Sequence, residues 1–187
     1  KDLGTLSYVS TDNSLFLLFA QKLYQIHITD GKSEVLDQDI QTDAFTVSDT
    51  GAHAAWLIQS GESAGYIKEI DFETLETRTL APSSGQKLTL NGFMNEDLVY
   101  GIVVDGDIIS DSNGHETTGI HTIRIEGFDG TVKKEYHQDG LYITDVTMGN
   151  TMMEFELSKK TKKGYEAVSK DNILNNVKAA ASIASIE

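Results

Sequence analysis

Apolar and polar positions follow one another in short runs along most of this chain, with the two-residue period of β-strands and turn residues between them. Residues 6–9 lead to the turn Thr11-Asp12-Asn13 and then to residues 14–20, an almost unbroken apolar run that fits a strand buried on both faces. Residues 22–28 alternate, with Leu23 opposite to Tyr24, Ile26 and Ile28. Thr29-Asp30-Gly31-Lys32 supplies a turn whose glycine accepts positive φ, and residues 33–36 close the unit. The order then recurs: residues 44–48, the turn Asp49-Thr50-Gly51, an apolar run at 52–59, an alternating run at 66–72, a turn at 73–76 and a closing run at 77–80. A third unit passes through 88–90, a turn at 94–97, 98–104, an insertion, 120–125, a turn at 128–130 and 131–136. A fourth begins at 142–146, turns at Gly149-Asn150, extends through 152–157, returns through 165–168 and lacks a fourth strand.

The units start near residues 5, 42, 87 and 141. A period of roughly 40 to 50 residues with about four short strands per unit is the signature of propeller blades. The expected fold is all-β, with antiparallel four-stranded repeats in a β-propeller-like domain or a part of one, spanning residues 1–169 (units 5–36, 42–80, 87–136 and 141–169). A β-sandwich of similar strand count is the alternative. Beyond Lys170, the residues Ile173, Leu174, Val177, Ala180, Ala181 and Ala184 recur at helical spacing, with Ser169 or Asp171 available as cap. A C-terminal helix is therefore expected over 170–187. Because the fourth unit is short of a strand, the chain is expected as an open arc of stacked sheets that associates with another chain or with a missing segment of its own protein.

Charge and composition narrow the partners. The 187 residues carry 15 Lys and Arg against 29 Asp and Glu, a net charge of −14, which opposes nucleic acid and anionic lipid. Cysteine is absent, so disulfides and thiolate metal sites are excluded. The longest apolar run is too short to insert in a membrane. The chain opens Lys1-Asp2-Leu3 without an initiator methionine or a signal peptide, which reads as a processed product or a fragment.

The segment Val47-Ser48-Asp49-Thr50-Gly51-Ala52-His53-Ala54-Ala55-Trp56 resembles the repeat of TolB-like β-propellers, in which a Ser-Pro-Asp-Gly turn precedes a buried Ile-Ala-Phe or Ile-Ala-Trp strand; Asp49-Thr50 stands where that family has Pro-Asp. Residues 66–80 resemble the strand pair that follows. The resemblance implies an extracytoplasmic or cell-surface binding or scaffold module and carries over no catalytic residue.

Three segments invite chemistry. Gly61-Glu62-Ser63-Ala64-Gly65 fits the G-x-S-x-G nucleophile elbow, but that elbow joins a strand to a helix, whereas residues 66–72 read as a strand. The insertion offers hard oxygen ligands for Ca²⁺ in Asp105, Asp107, Asp111, Asn113 and Glu116. Ile109 and Ser110 break the EF-hand pattern there, so an exposed hairpin excursion is the simpler expectation. Lys159-Lys160-Thr161-Lys162-Lys163 reads as a solvated hairpin tip. His27 and His53 lie in strand runs, and Trp56 reads as core. No cofactor is expected, with calcium the one ion considered. The leading reading is a non-catalytic module for a protein or glycan partner. The alternatives are a serine hydrolase using Ser63 and a structural segment of a larger surface protein.

Overall fold

The computed structural model describes residues 7–60, 63–110 and 114–175. Four antiparallel meanders follow one another along the chain. The first sheet pairs β1 (Ser7–Val9), β2 (Ser14–Phe19), β3 (Lys22–His27) and β4 (Ser33–Gln38) in chain order. A 3-10 turn, Thr42–Ala44, leads to the second sheet, again in chain order: β5 (Phe45–Val47), β6 (His53–Ser60), β7 (Ser63–Asp71) and β8 (Thr77–Leu80). The third begins with β9 (Gln86–Met94) and β10 (Asp97–Val104). The insertion then forms its own hairpin, β11 (Ile108–Ser110) with β12 (Glu116–Thr118), before β13 (Thr122–Glu126) and β14 (Val132–Tyr136) complete that sheet. The fourth sheet has three strands, β15 (Tyr142–Met148), β16 (Met152–Thr161) and β17 (Gly164–Leu174). The turn between β3 and β4 carries Gly31 at φ +70°, as its position in the sequence requires.

The sheets stack face to face because each strand turns alternate residues to opposite sides. Phe16, Leu18 and Leu23 of the first sheet meet Ala54, Trp56, Ile70 and Phe72 of the second unit. Ala55 and Ile67, on the other face of the second sheet, meet Leu88, Phe93, Leu98 and Tyr100 of the third. Val99, Ile123 and Ile125 of the third meet Ile143, Met153, Phe155 and Ile173 of the fourth. The apolar clusters of the described residues thus join first to second, second to third and third to fourth sheet.

Polar clips reinforce the joints along one edge. Glu73 accepts from the Thr11 amide at 3.1 Å, from the Thr11 hydroxyl at 2.6 Å and from the Tyr8 hydroxyl. Glu96 accepts from the Thr50 amide at 3.2 Å and the Thr50 hydroxyl at 3.1 Å. Asn95 and Asn175 exchange amide hydrogen bonds of 3.2 and 2.9 Å between the third and fourth units.

The helix expected over 170–187 is overturned where it can be checked. Residues 170–174 continue β17, with Ile173 opposite Met153 and Asp171 opposite Phe155. Ile173 is buried against the third sheet, and Asp171 accepts from Tyr136 at 2.7 Å instead of capping a helix. A completed backbone ladder and a buried isoleucine outweigh the helical spacing of the apolar residues. Residues 176–187 lie outside the described residues.

Four tyrosines serve these joints with one consequence. Tyr8 is pushed up to about 12 by its hydrogen bond to Glu73, Tyr100 by burial and Glu126, Tyr136 by burial and Asp171, and Tyr165 by burial and the charge of Asp107. Each phenol titrates higher folded than unfolded, so its contribution is intact below pH 10 and is lost as pH rises through about 12. Ultraviolet titration should show these four ionising well after free tyrosine, and the urea midpoint should fall steadily between those two pH values.

Candidate functional site

Two features outside the simple repeat stand out. The first is a groove of about 1060 Å³ lined mainly by the second and third units. It forms where the 38–44 connection, the β6–β7 hairpin, the start of β9 and the inserted β11–β12 hairpin converge. Trp56, Leu57, Ile58, Leu88 and Leu90 give it an apolar lining, while Asp39, Asp43 and Glu116 set carboxylates around it against the single charge of Lys87. Trp56 is 2% exposed, and among the described residues its indole N–H finds no acceptor. Lys68, held by Asp37 at 2.8 Å, lies 5.6 Å from the centre of the indole ring.

The second is an ionic cluster sealed between the second and third sheets. Arg78 on β8 donates from Nε to Glu69 at 2.5 Å and from Nη1 to Glu126 at 2.7 Å. Glu126 also accepts from the Tyr100 hydroxyl at 2.6 Å, and the guanidinium lies 5.7 Å from the Phe128 ring centre. Glu69 is fully buried. That burial pushes its pKa up, and the charge and hydrogen bond of Arg78 only partly offset the effect. Beside this cluster, His53 stands 3.2 Å from Glu96 and 3.6 Å from Asp71, stacked on Phe128 at 5.4 Å. The sequence signal for this cluster was Glu69 on the same strand face as Ile67, which puts a charge in an apolar layer.

Ser63 begins β7, with its backbone opposite Ser60, and the strand that follows runs to Asp71. The strand-to-helix turn of a nucleophile elbow is therefore not the local geometry. A different serine touches both a histidine and a carboxylate. Buried Ser14 lies 3.1 Å from His27 Nδ1 and 3.2 Å from Asp12, and accepts from Gln25 at 3.0 Å. This serine bridges the two groups, whereas a catalytic triad places the histidine between serine and acid. The cluster acts as a polar pin inside the first sheet.

The calcium candidates are dispersed. Asp107 is 7% exposed and bound by Lys160 Nζ at 2.7 Å; the same ammonium donates to the Gly106 carbonyl at 2.6 Å. Asp105 lies at the far side of the hairpin base, its amide bonded to the Gly85 carbonyl at 2.8 Å. Glu116 sits on β12 at the groove rim, and Asp111 and Asn113 lie outside the described residues. Among the described residues, no three His, Asp or Glu side chains converge on one point. The insertion forms a largely exposed hairpin between β10 and β13, and its base is pinned to the fourth sheet by Lys160 and by Tyr165, whose hydroxyl donates to the Asp107 carbonyl at 2.9 Å. Lys160 belongs to the segment expected as a solvated tip, and its ammonium is instead held at this contact.

No family model and no curated protein matches the chain. Solved structures similar to it include oligogalacturonate lyase from Vibrio parahaemolyticus, with 13% identity over 90% of this chain and 52% of that one at a TM-score of 0.44. TolB from Acinetobacter baumannii gives 9% identity over 89% of this chain and 56% of its own, at a TM-score of 0.31. Acylaminoacyl peptidase from Pyrococcus horikoshii gives 9% identity over 89% of this chain and 32% of its own, at 0.41. The chain spans about half the length of each of the first two. No helix of the described residues is long and apolar enough to cross a membrane.

Proposed function

We propose that this chain is a non-catalytic binding or scaffold module of β-propeller type, which receives a protein or glycan partner in the groove beside Trp56. The observation that carries the reading is the groove itself: an apolar lining and a rim with three carboxylates and one lysine. Such concave sites with a few polar groups are the usual form of binding pockets. The rim favours partners that bring hydroxyl or cationic donors. Placement outside the cytoplasm rests on the TolB-like repeat at residues 47–56. The hydrolase alternative has against it the strand that follows Ser63.

Trp56 is the one tryptophan of the chain and reports on the groove directly. Titration with a panel of neutral oligosaccharides and with an oligolysine peptide should give a saturable change in its emission for one of the two classes. Leu90→Glu should abolish that change without altering the far-ultraviolet spectrum. A flat titration with both classes, or labelling of Ser63 by a fluorophosphonate probe, would overturn the reading.

A further inference from the structure

The two ends of the stack are chemically unlike. On the fourth sheet, the face turned away from the third carries Asp145, Thr147, Glu154, Glu156, Lys170 and Asn172 side by side in the ladder, with Met152 and Leu174 paired at one end of it. Of the six polar residues all but Glu156 are exposed, as suits an end that meets water, and Leu174 is 61% exposed. The first sheet has the opposite character. Its inward positions, Phe16, Leu18 and Leu23, are buried against the second sheet, so alternation turns Leu15, Leu17, Phe19, Tyr24, Ile26 and Val35 outward. Register makes them one surface, with Val9 opposite Leu15, Leu15 opposite Ile26, Leu17 opposite Tyr24 and Tyr24 opposite Val35. Val9, Phe19 and Val35 are 52%, 46% and 47% exposed.

Repeat symmetry says what such a face is built for. The turn bond from Ser10 N to Ser14 O matches that from Ser48 N to His53 O, which equates Val9 with Val47, Leu17 with Trp56 and Ile26 with Ile70. In the second unit those residues belong to the core covered by the first sheet. In the first sheet they have no sheet over them among the described residues.

We infer that two copies of this chain associate through the outer faces of their first sheets, in a closed two-fold dimer. Head-to-tail stacking would press the carboxylates of the fourth sheet onto this apolar face, and burying unpaired charge is costly. Face-to-face pairing places like on like, which closes after two copies. Twisted sheets stack this way at about −30°. The only charge among the paired outward positions is Lys22 at the edge, opposite Phe19, so the net charge of −14 acts from elsewhere on the surface. Strand spacing and rise give roughly 400 Å² of plan area per copy. Two such faces fall at the low end of protein interfaces, and the dimer is weak and concentration-dependent.

Sedimentation equilibrium on the whole chain, from low micromolar to near-millimolar concentration, tests this. The mass should rise from 20.5 kDa towards twice that value and stop. Phe19→Lys and Val35→Lys, at two exposed positions, should each hold the chain at monomer mass with an unchanged melting temperature. Glu154→Lys, on the outer face of the fourth sheet, should leave the dimer intact. A monomer at every concentration would overturn the inference. So would a dimer that survives both first-sheet variants, or open-ended growth that responds to Glu154→Lys.

Discussion

Arg78→Met should lower stability at neutral pH by about 3–5 kcal/mol, the range for breaking a buried ion pair from one side. The guanidinium is the partner of fully buried Glu69 at 2.5 Å and also bonds Glu126 at 2.7 Å. Without it, two carboxylates lie together between the sheets, and the main offset to the lost hydration of Glu69 is gone. The sign with pH follows from Glu69, whose folded pKa lies above the ordinary carboxylate value because of burial. A carboxyl of this kind contributes stability that is full below 4.5 and is lost as pH rises through the folded value. Removing Arg78 raises that folded value further, so the gap between variant and parent should shrink as pH is lowered into the mildly acid range. Urea unfolding at pH 7 and at mildly acid pH measures both effects. Glu69→Leu combined with Arg78→Met should recover much of the loss, since an apolar pair of similar volume can replace a buried ion pair. A loss below about 1 kcal/mol in the single variant would mean that the cluster is solvated.

Phe16→Ala should cost about 3–5 kcal/mol, the range for truncating a fully buried aromatic side chain. Phe16 has no exposed surface, and its ring stacks on Phe72 of the second unit with centroids 4.4 Å apart. The effect reaches across a joint between sheets, so it tests stacking and not merely one strand. Trp56 lies in the same cluster, and its emission follows the loss of that joint in urea. A cost near that of an exposed truncation would place Phe16 outside any inter-sheet core.

The repeat was legible because apolar runs punctuated by polar turns mark strands, although the burial on both faces expected for residues 14–20 is not found: Leu15, Leu17 and Phe19 of β2 face outward, with Phe19 46% exposed. Residues 14–20 and 52–59 read as buried strands, and β2 and β6 are the strands on which the first joint is built. The third and fourth sheets were legible from strand order alone. What sequence could not give was the identity of each face's neighbour. Glu69 and Arg78 sit nine positions apart on paired strands, yet Glu126, which completes their cluster, comes from the next sheet. The groove was invisible for the same reason, because its walls come from four separate segments. The insertion was legible as a hairpin, but its contact with the fourth sheet was not, because Lys160 lies 53 positions away from Asp107. The C-terminal segment misled because Ile173 and Leu174 fit a helical stripe, although cross-strand pairing with Met153 and Met152 decides their conformation.

The central claim is an open arc of four stacked sheets, and nuclear Overhauser contacts in the dilute, isotope-labelled chain test it most directly. Contacts should link Phe16 with Phe72 across the first joint and Tyr136 with Phe155 across the last, whose ring centroids are 4.4 and 4.6 Å apart. The methyl groups of Leu15 and Leu17 should show no contact with any residue of β15, β16 or β17. Contacts from those methyl groups to Thr147, Glu154 or Asn172 would close the arc into a ring and contradict the account.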